Sequence, residues 1–250
     1  MADRRTAAAP ARVPTEPTGA APRAADAVVG RPHGAATGPT RTLLACGLVA
    51  GPLYIVVVVA QMLGRDGFDI SRHPASLLSN GDRGWIQIAN FAVSGLLFVA
   101  YAIGLRRLLT AEGGRGRGWG PLLVGVFGAG MVGAAVFSAD PVDGFPPGTP
   151  GGPPTTVSVS GMLHFLVAGL AFLALVAACF VFARRFGEAR RRAWAAFSTT
   201  TGALFLTGWM SIFAFPGARP ANVAFAVAIG LVLVWTSLLA VRLLSPPGPG

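Results

Sequence analysis

Six stretches of the chain carry apolar residues almost without interruption, and none alternates between apolar and polar. They fall at about Arg41–Leu63, Trp85–Leu105, Trp119–Ala139, Ser160–Ala183, Ala193–Phe213 and Ala221–Val241. Each holds about twenty residues, which at about 1.5 Å per residue covers a hydrocarbon core of about 30 Å. Inside hydrocarbon every backbone N–H and C=O must find its partner within the segment. Without the two-residue period of barrel strands, only the α-helix meets that demand. The pattern predicts an all-α integral membrane protein, a six-helix transmembrane bundle within residues 41–243. Residues 1–40 and 244–250 contain no apolar run and are expected to be disordered tails. The first run begins too far along the chain for a cleaved signal and is long enough to remain as an anchor.

Composition agrees: 53% of residues are hydrophobic and only 12% are charged, against about one quarter charged in soluble domains. The net charge of +10 consists of arginine, with no lysine at all. This bias, with the abundance of Ala, Gly and Pro, fits a GC-rich bacterial genome. In a soluble chain such a charge would point to nucleic acid. Here its placement gives another reason, and nucleic-acid binding is rejected. Sixteen arginines fall in the N-terminal tail, the second and fourth connections and the C-terminus, and only Arg65, Arg72, Arg83 and Arg219 fall elsewhere. Basic residues stay on the cytoplasmic side, so both termini are expected there, in a bacterial cytoplasmic membrane. Trp85, Trp119 and Trp194 stand at span ends, as interfacial anchors do. Small residues at Gly125/Ala129/Gly133 and Ala174/Ala178 predict close packing within the bundle. Pro52 is expected to kink the first span. Cys46 and Cys179 lie in apolar runs and read as buried small hydrophobes.

Polar chemistry is concentrated in "GFDISRHPASLLSNGDRGWIQIANF", Gly67–Phe91. His73-Pro74 should be extended, with a helical turn through Ala75–Leu78, a turn at Asn80-Gly81 and Asp82 capping the second span. Gln87, Asn90 and Ser94 share one helix face that Tyr101 continues, and such a stripe must face protein or water rather than lipid. Asp140 ends the third span with Asp143 just beyond, and His164 lies about 6 Å inside the fourth by helical rise. Gln61, Ser211 and Asn222 end or begin spans at a similar level, whereas the other half offers mainly Ser198–Thr201 and Thr207. Asp69, Arg72, His73, Gln87, Asn90, Asp140 and His164 therefore form a candidate ligand-binding cluster in the outer leaflet. The Pro/Gly-rich connection "DPVDGFPPGTPGGPPTTVS" is either its lid or a slack tether.

The blocks "AGPLY", "GFDISRHPASLLSNGDRGWIQIANF", "FSADPVDGFPPG" and "SGMLHF" resemble the bacterial membrane family catalogued as domain of unknown function 998, over roughly Arg41–Arg242. The resemblance implies six spans and marks the long block as a family signature. It implies no reaction, ligand or partner. Biochemical activity stays undefined at this stage, and the residues support binding of a lipid headgroup or small polar molecule in an outward-facing pocket. An intramembrane metal-assisted hydrolase using His73, His164 and Asp140 is one alternative, although no spacing such as HExxH supports it and no metal or cofactor is predicted. A small-molecule transporter is another, without coupling acids at mid-span or an internal repeat to carry it. A membrane scaffold using the basic run "RRFGEARRR" is a third, although that run is more simply the orientation signal. Membrane lipids are the expected partners.

Overall fold

The apolar runs become helices because hydrocarbon leaves the backbone no other way to pair its polar groups. The computed structural model describes residues 38–152, 154 and 156–245. It contains α1 (Gly38–Gly64), α2 (Gly84–Glu112), α3 (Trp119–Val136), α4 (Val159–Glu188), α5 (Arg192–Ala214) and α6 (Arg219–Leu244), with a short 3-10 turn at Ala75–Ser79. Among the described residues there is no strand, only a bridge between Val142 and Phe145. The sequence-predicted boundaries agree closely, except that α2 and α4 run several residues further at their basic ends. Gly38–Thr40 belong to α1 rather than to a tail, and the remainder of the expected N-terminal tail lies outside the described residues, as do residues 246–250. α1 continues unbroken through Pro52.

Five helices, α1 to α4 and α6, are long and apolar enough to cross a membrane. This is a multi-pass membrane protein. α5 matches them in length with 23 residues, but Ser198 and three following threonines dilute its apolar content. Of these, Ser198 and Thr201 are buried, and Ser198 accepts a hydrogen bond from the Trp235 indole of α6 at 3.0 Å. Lipid-type exposure falls on residues such as Val56, Leu96, Leu122, Leu170 and Val227.

Each helix packs on its sequence neighbours, and α1 meets α6, so the six close into a ring. Small residues set the closest approaches. A Cβ on Gly128 of α3 would stand 2.8 Å from the Gly95 carbonyl oxygen of α2, and one on Gly95 would stand 2.7 Å from the Gly128 oxygen. Gly51 of α1 lies equally close to the Leu233 carbonyl of α6, where the Ser237 hydroxyl also donates to the Gly47 carbonyl. The predicted stripe Gly125/Ala129/Gly133 is corrected here: Gly125 faces α2, Gly133 faces α4, and Ala129 is exposed. The tight contacts lie one residue or more away, at Gly128 and Gly130. Inside the ring is a cavity of about 610 Å³. Connections α1–α2, α3–α4 and α5–α6 lie at one end, the loop end; the arginine-rich connections lie at the other.

Candidate functional site

At the loop end the signature block folds on its own side chains first. Asp69 opens an Asx turn, its Oδ1 accepting from the Ser71 N–H at 2.9 Å and the Ser71 hydroxyl at 2.7 Å. Its carbonyl accepts from the N–H of Arg72 and of His73. The turn brings the His73 ring back over it, so that Nδ1 accepts the Asp69 N–H at 3.0 Å while Nε2 lies 3.0 Å from the Asp143 carbonyl. An Nδ1 that accepts is bare, so Nε2 carries the proton and donates to Asp143. Arg72 closes the same junction. Its Nε donates to Asp143 Oδ2 at 3.0 Å, and its Nη2 reaches both Oδ1 at 2.8 Å and the carbonyl at 2.9 Å.

This clasp joins the first and third connections, and α6 joins it too, since the Asn222 amide donates to the carbonyls of Ser71 and Arg72. Fully buried His73 packs against Phe68 and Phe145, with centroids 5.6 and 5.5 Å away, and those two rings meet edge to face at 5.2 Å. Arg65 stacks on the Phe145 ring at 5.2 Å and donates to the carbonyls of Leu78 and Asn80. The Pro/Gly-rich connection is therefore anchored, wrapped around Asp143, whose Oδ1 also accepts the Gly152 N–H. Hydrogen bonds from Arg72, then from Gly152, hold the Asp143 carboxyl below the usual carboxylate range, and the Ser71 hydroxyl does the same for Asp69. Pro74 is extended before the 3-10 turn, and Asn80-Gly81 turns the chain, both as expected. Asp82 does not cap α2. The cap position is Arg83, without a side-chain bond, and the Gly84 N–H instead donates to the Gly81 carbonyl.

The polar stripe of α2 faces α1. Gln87 Oε1 accepts from Gln61 Nε2 at 2.8 Å and from Asn90 Nδ2 at 3.3 Å; Asn90 Nδ2 also donates to the Tyr54 carbonyl, and Ser94 donates to Asn90 Oδ1. Gln87 and Asn90 are buried in this ladder, and neither lines the cavity. Tyr101 is fully buried with its hydroxyl unpartnered among the described residues. Replacing Gln87 with Leu should cost about 1–2 kcal/mol, since it removes the acceptor of two buried amides. A melting temperature in detergent unchanged by that substitution would show that the ladder contributes no stability.

Asp140 and His164 are the two members of the predicted cluster that line the cavity. Asp140 caps the entry to α4: its carboxylate accepts from the Ser158 N–H at 2.9 Å and the Ser158 hydroxyl at 2.5 Å, while Ser158 Oγ accepts from the Gly161 N–H. His164 is 3% exposed, and its Nδ1 lies 2.8 Å from the Phe137 carbonyl. Each is bonded elsewhere and not to the other. The cluster thus divides into a clasp (Asp69, Arg72, His73), an interhelical ladder (Gln87, Asn90) and a cavity wall (Asp140, His164). Among the described residues no three His, Cys, Asp or Glu side chains gather as metal ligands would.

What the sequence reading left out is the cavity's character. Aromatic and aliphatic side chains of α3 to α6 form most of the wall, among them Phe127, Phe172, Phe205, Trp209 and Phe225, while Pro74–Leu77, Ala139 and Val142 roof it at the loop end. Phe172 is in edge contact with Phe205, Trp209 and Phe225. These residues read as ordinary span residues because only the ring's closure turns them inward.

A ring of helices, long enough and apolar enough in five cases to cross a membrane, with a roofed interior, defines a class of multi-pass membrane protein. A family model described as protein of unknown function (DUF998) matches residues 48–242, and the chain belongs to that family. No curated protein and no solved structure matches it.

Proposed function

We propose that this protein binds a largely apolar, lipid-soluble molecule inside its helical ring. The observation that carries this reading is the cavity. At about 610 Å³ it falls in the range of about 300–1,000 Å³ used by small-molecule sites. Its wall is aromatic and aliphatic, with Tyr54, Ser76, Asp140 and His164 as the few polar members. Such a wall offers an apolar ligand close packing, and burial adds about 25 cal/mol per Å² only for surface that the ligand would otherwise show to water. A charged headgroup would gain little from the same wall, so the ligand's polar part is small.

In this reading all six helices span a bacterial cytoplasmic membrane with both termini inside. The arginine asymmetry supports that orientation, and α5 crosses because it packs between α4 and α6 at matching length. The loop end and its clasp then face outward, above the roof of the cavity. The supporting domain is the ring itself, within residues 41–243. Among the described residues no arrangement of side chains favours a hydrolytic metal centre, and both nitrogens of His73 are engaged in the clasp.

The test is native mass spectrometry and lipid extraction of the purified protein beside an Ala134→Phe variant. Ala134 is buried and lines the cavity, so a phenyl ring there occupies the ligand's space. A co-purified or added apolar molecule should bind the wild type and bind the variant at least about tenfold more weakly. Equal binding by both, or none by the wild type, sinks the proposal.

A further inference from the structure

The imidazole of His164, in the wall of the cavity, has hydrogen-bonding capacity that the protein leaves unused. The Phe137 carbonyl can only accept, so the contact at 2.8 Å requires that His164 Nδ1 carry the proton. In the neutral ring Nε2 is then a bare lone pair. No described residue donates to it, although the residue is 3% exposed and lines the cavity. Its surroundings offer no substitute: Phe91 and Phe165 present ring edges and faces at centroid distances of 6.3 and 5.9 Å, and the Asp140 carboxylate is occupied by Ser158. His73 has the opposite tautomer, and both its nitrogens are engaged.

We infer that His164 Nε2 is the acceptor that selects a ligand with a hydroxyl head on an apolar body, a long-chain or polycyclic alcohol rather than an ester, ether or hydrocarbon. This rests on the proposed cavity-binding reading and specifies its ligand class. A hydroxyl donates to the lone pair and buries little other polarity. An ether or ester oxygen brings a second lone pair against the first and leaves both unpaired. A group offering only an acceptor is therefore disfavoured, and a hydrocarbon gains nothing from the histidine.

The experiment uses the full chain in detergent with two probes of the same length, hexadecanol and its methyl ether, each competing against a fluorescent fatty-chain reporter. The alcohol should bind the wild type about tenfold more tightly than the ether, the effect of one well-placed hydrogen bond. His164→Phe should bring that ratio near one through loss of alcohol affinity, with the ether little changed, and His164→Gln, which keeps an acceptor, should restore part of it. Histidine nitrogen NMR of the wild type supplies a readout that survives a misfolded variant: the alcohol should shift Nε2 of the Nδ1-protonated histidine, and the ether should not. Equal binding of the two probes to the wild type overturns this inference and leaves the cavity reading standing. Binding of neither overturns both. An alcohol preference that persists in His164→Phe assigns the acceptor to another group and also overturns it.

Discussion

Replacing Gly128 with Leu should collapse the protein's stability in detergent, with a loss of about 3 kcal/mol or more and a shift from monodisperse to aggregated material on size exclusion. The reason is backbone meeting backbone. On one side a new Cβ would stand 2.8 Å from the Gly95 oxygen and on the other 2.9 Å from the Val99 nitrogen, and neither atom can swing away as a side-chain tip would. The α2–α3 packing is therefore set by the absence of two side chains, and in a bilayer, where apolar surface alone does not drive helices together, such close approach carries much of the association. Gly128→Ala should show the same effect at reduced size, about 1–3 kcal/mol. Gly230→Ala on α6 is the control, because a Cβ there meets nothing within 4 Å. It should leave the melting temperature unchanged or slightly raised. If Gly128→Leu melts like the wild type, the crossing of α2 and α3 does not lie where Gly95 and Gly128 meet.

How such a contact relates to the sequence shows what was legible in it. Helix number, order and approximate ends followed from run length, because the hydrocarbon requirement acts on each segment by itself. The pairing of small residues does not follow from i, i+4 spacing on one helix, since a ring helix has two neighbours and splits its small residues between them. Hence Gly125 and Gly133 serve different partners and Ala129 serves neither.

The candidate site shows the same boundary between local and tertiary information. Local chemistry around Pro74 and Asn80-Gly81 was readable, and so was the shared face of Gln87, Asn90 and Ser94. That this face turns to α1 depends on Gln61 and the Tyr54 carbonyl, which lie over twenty residues away. In sequence, His73, expected in the first connection, and His164, expected inside the fourth span, belong to one outer-end cluster. What separates them is the carbonyl each ring meets, Asp143 or Phe137, and no residue type encodes a carbonyl's position. One signal was available near His73: Asp69 two residues before Ser71 is able to form an Asx turn, and in the structure the chain after that turn brings the His73 ring back to the Asp69 N–H.

His73→Ala should open the loop end, with a loss of about 2–4 kcal/mol in local stability, seen as faster amide exchange across residues 66–82 and 139–152 while α2 and α4 stay protected. The truncation leaves the Asp69 N–H without its partner, leaves the Asp143 carbonyl with Arg72 as its remaining donor, and opens a gap beside Phe68 and Phe145. His73→Phe fills the gap without restoring either hydrogen bond, so its exchange should fall between the two. The ion pair beside it is a lesser contributor. Arg72 and Asp143 are 37% and 32% exposed in their side chains, and solvent screens such a pair. Its signature is instead pH dependence. Because Asp143 and Asp69 have carboxyls held below their ordinary value in the fold, their contribution is complete above about pH 4 and fades as the pH drops through the lower folded-state values. Loop exchange should therefore rise in that acid window, and Asp143→Asn should flatten much of the rise. Pro74–Leu77, Ala139 and Val142 are both the ends of the clasped segments and the roof of the cavity. The same His73→Ala protein should then release any cavity ligand faster, at little cost to the apolar wall that binds it. An exchange profile identical to the wild type, with Arg72→Ala alone opening the loops, would place the weight of the clasp on its charges and not on the buried imidazole.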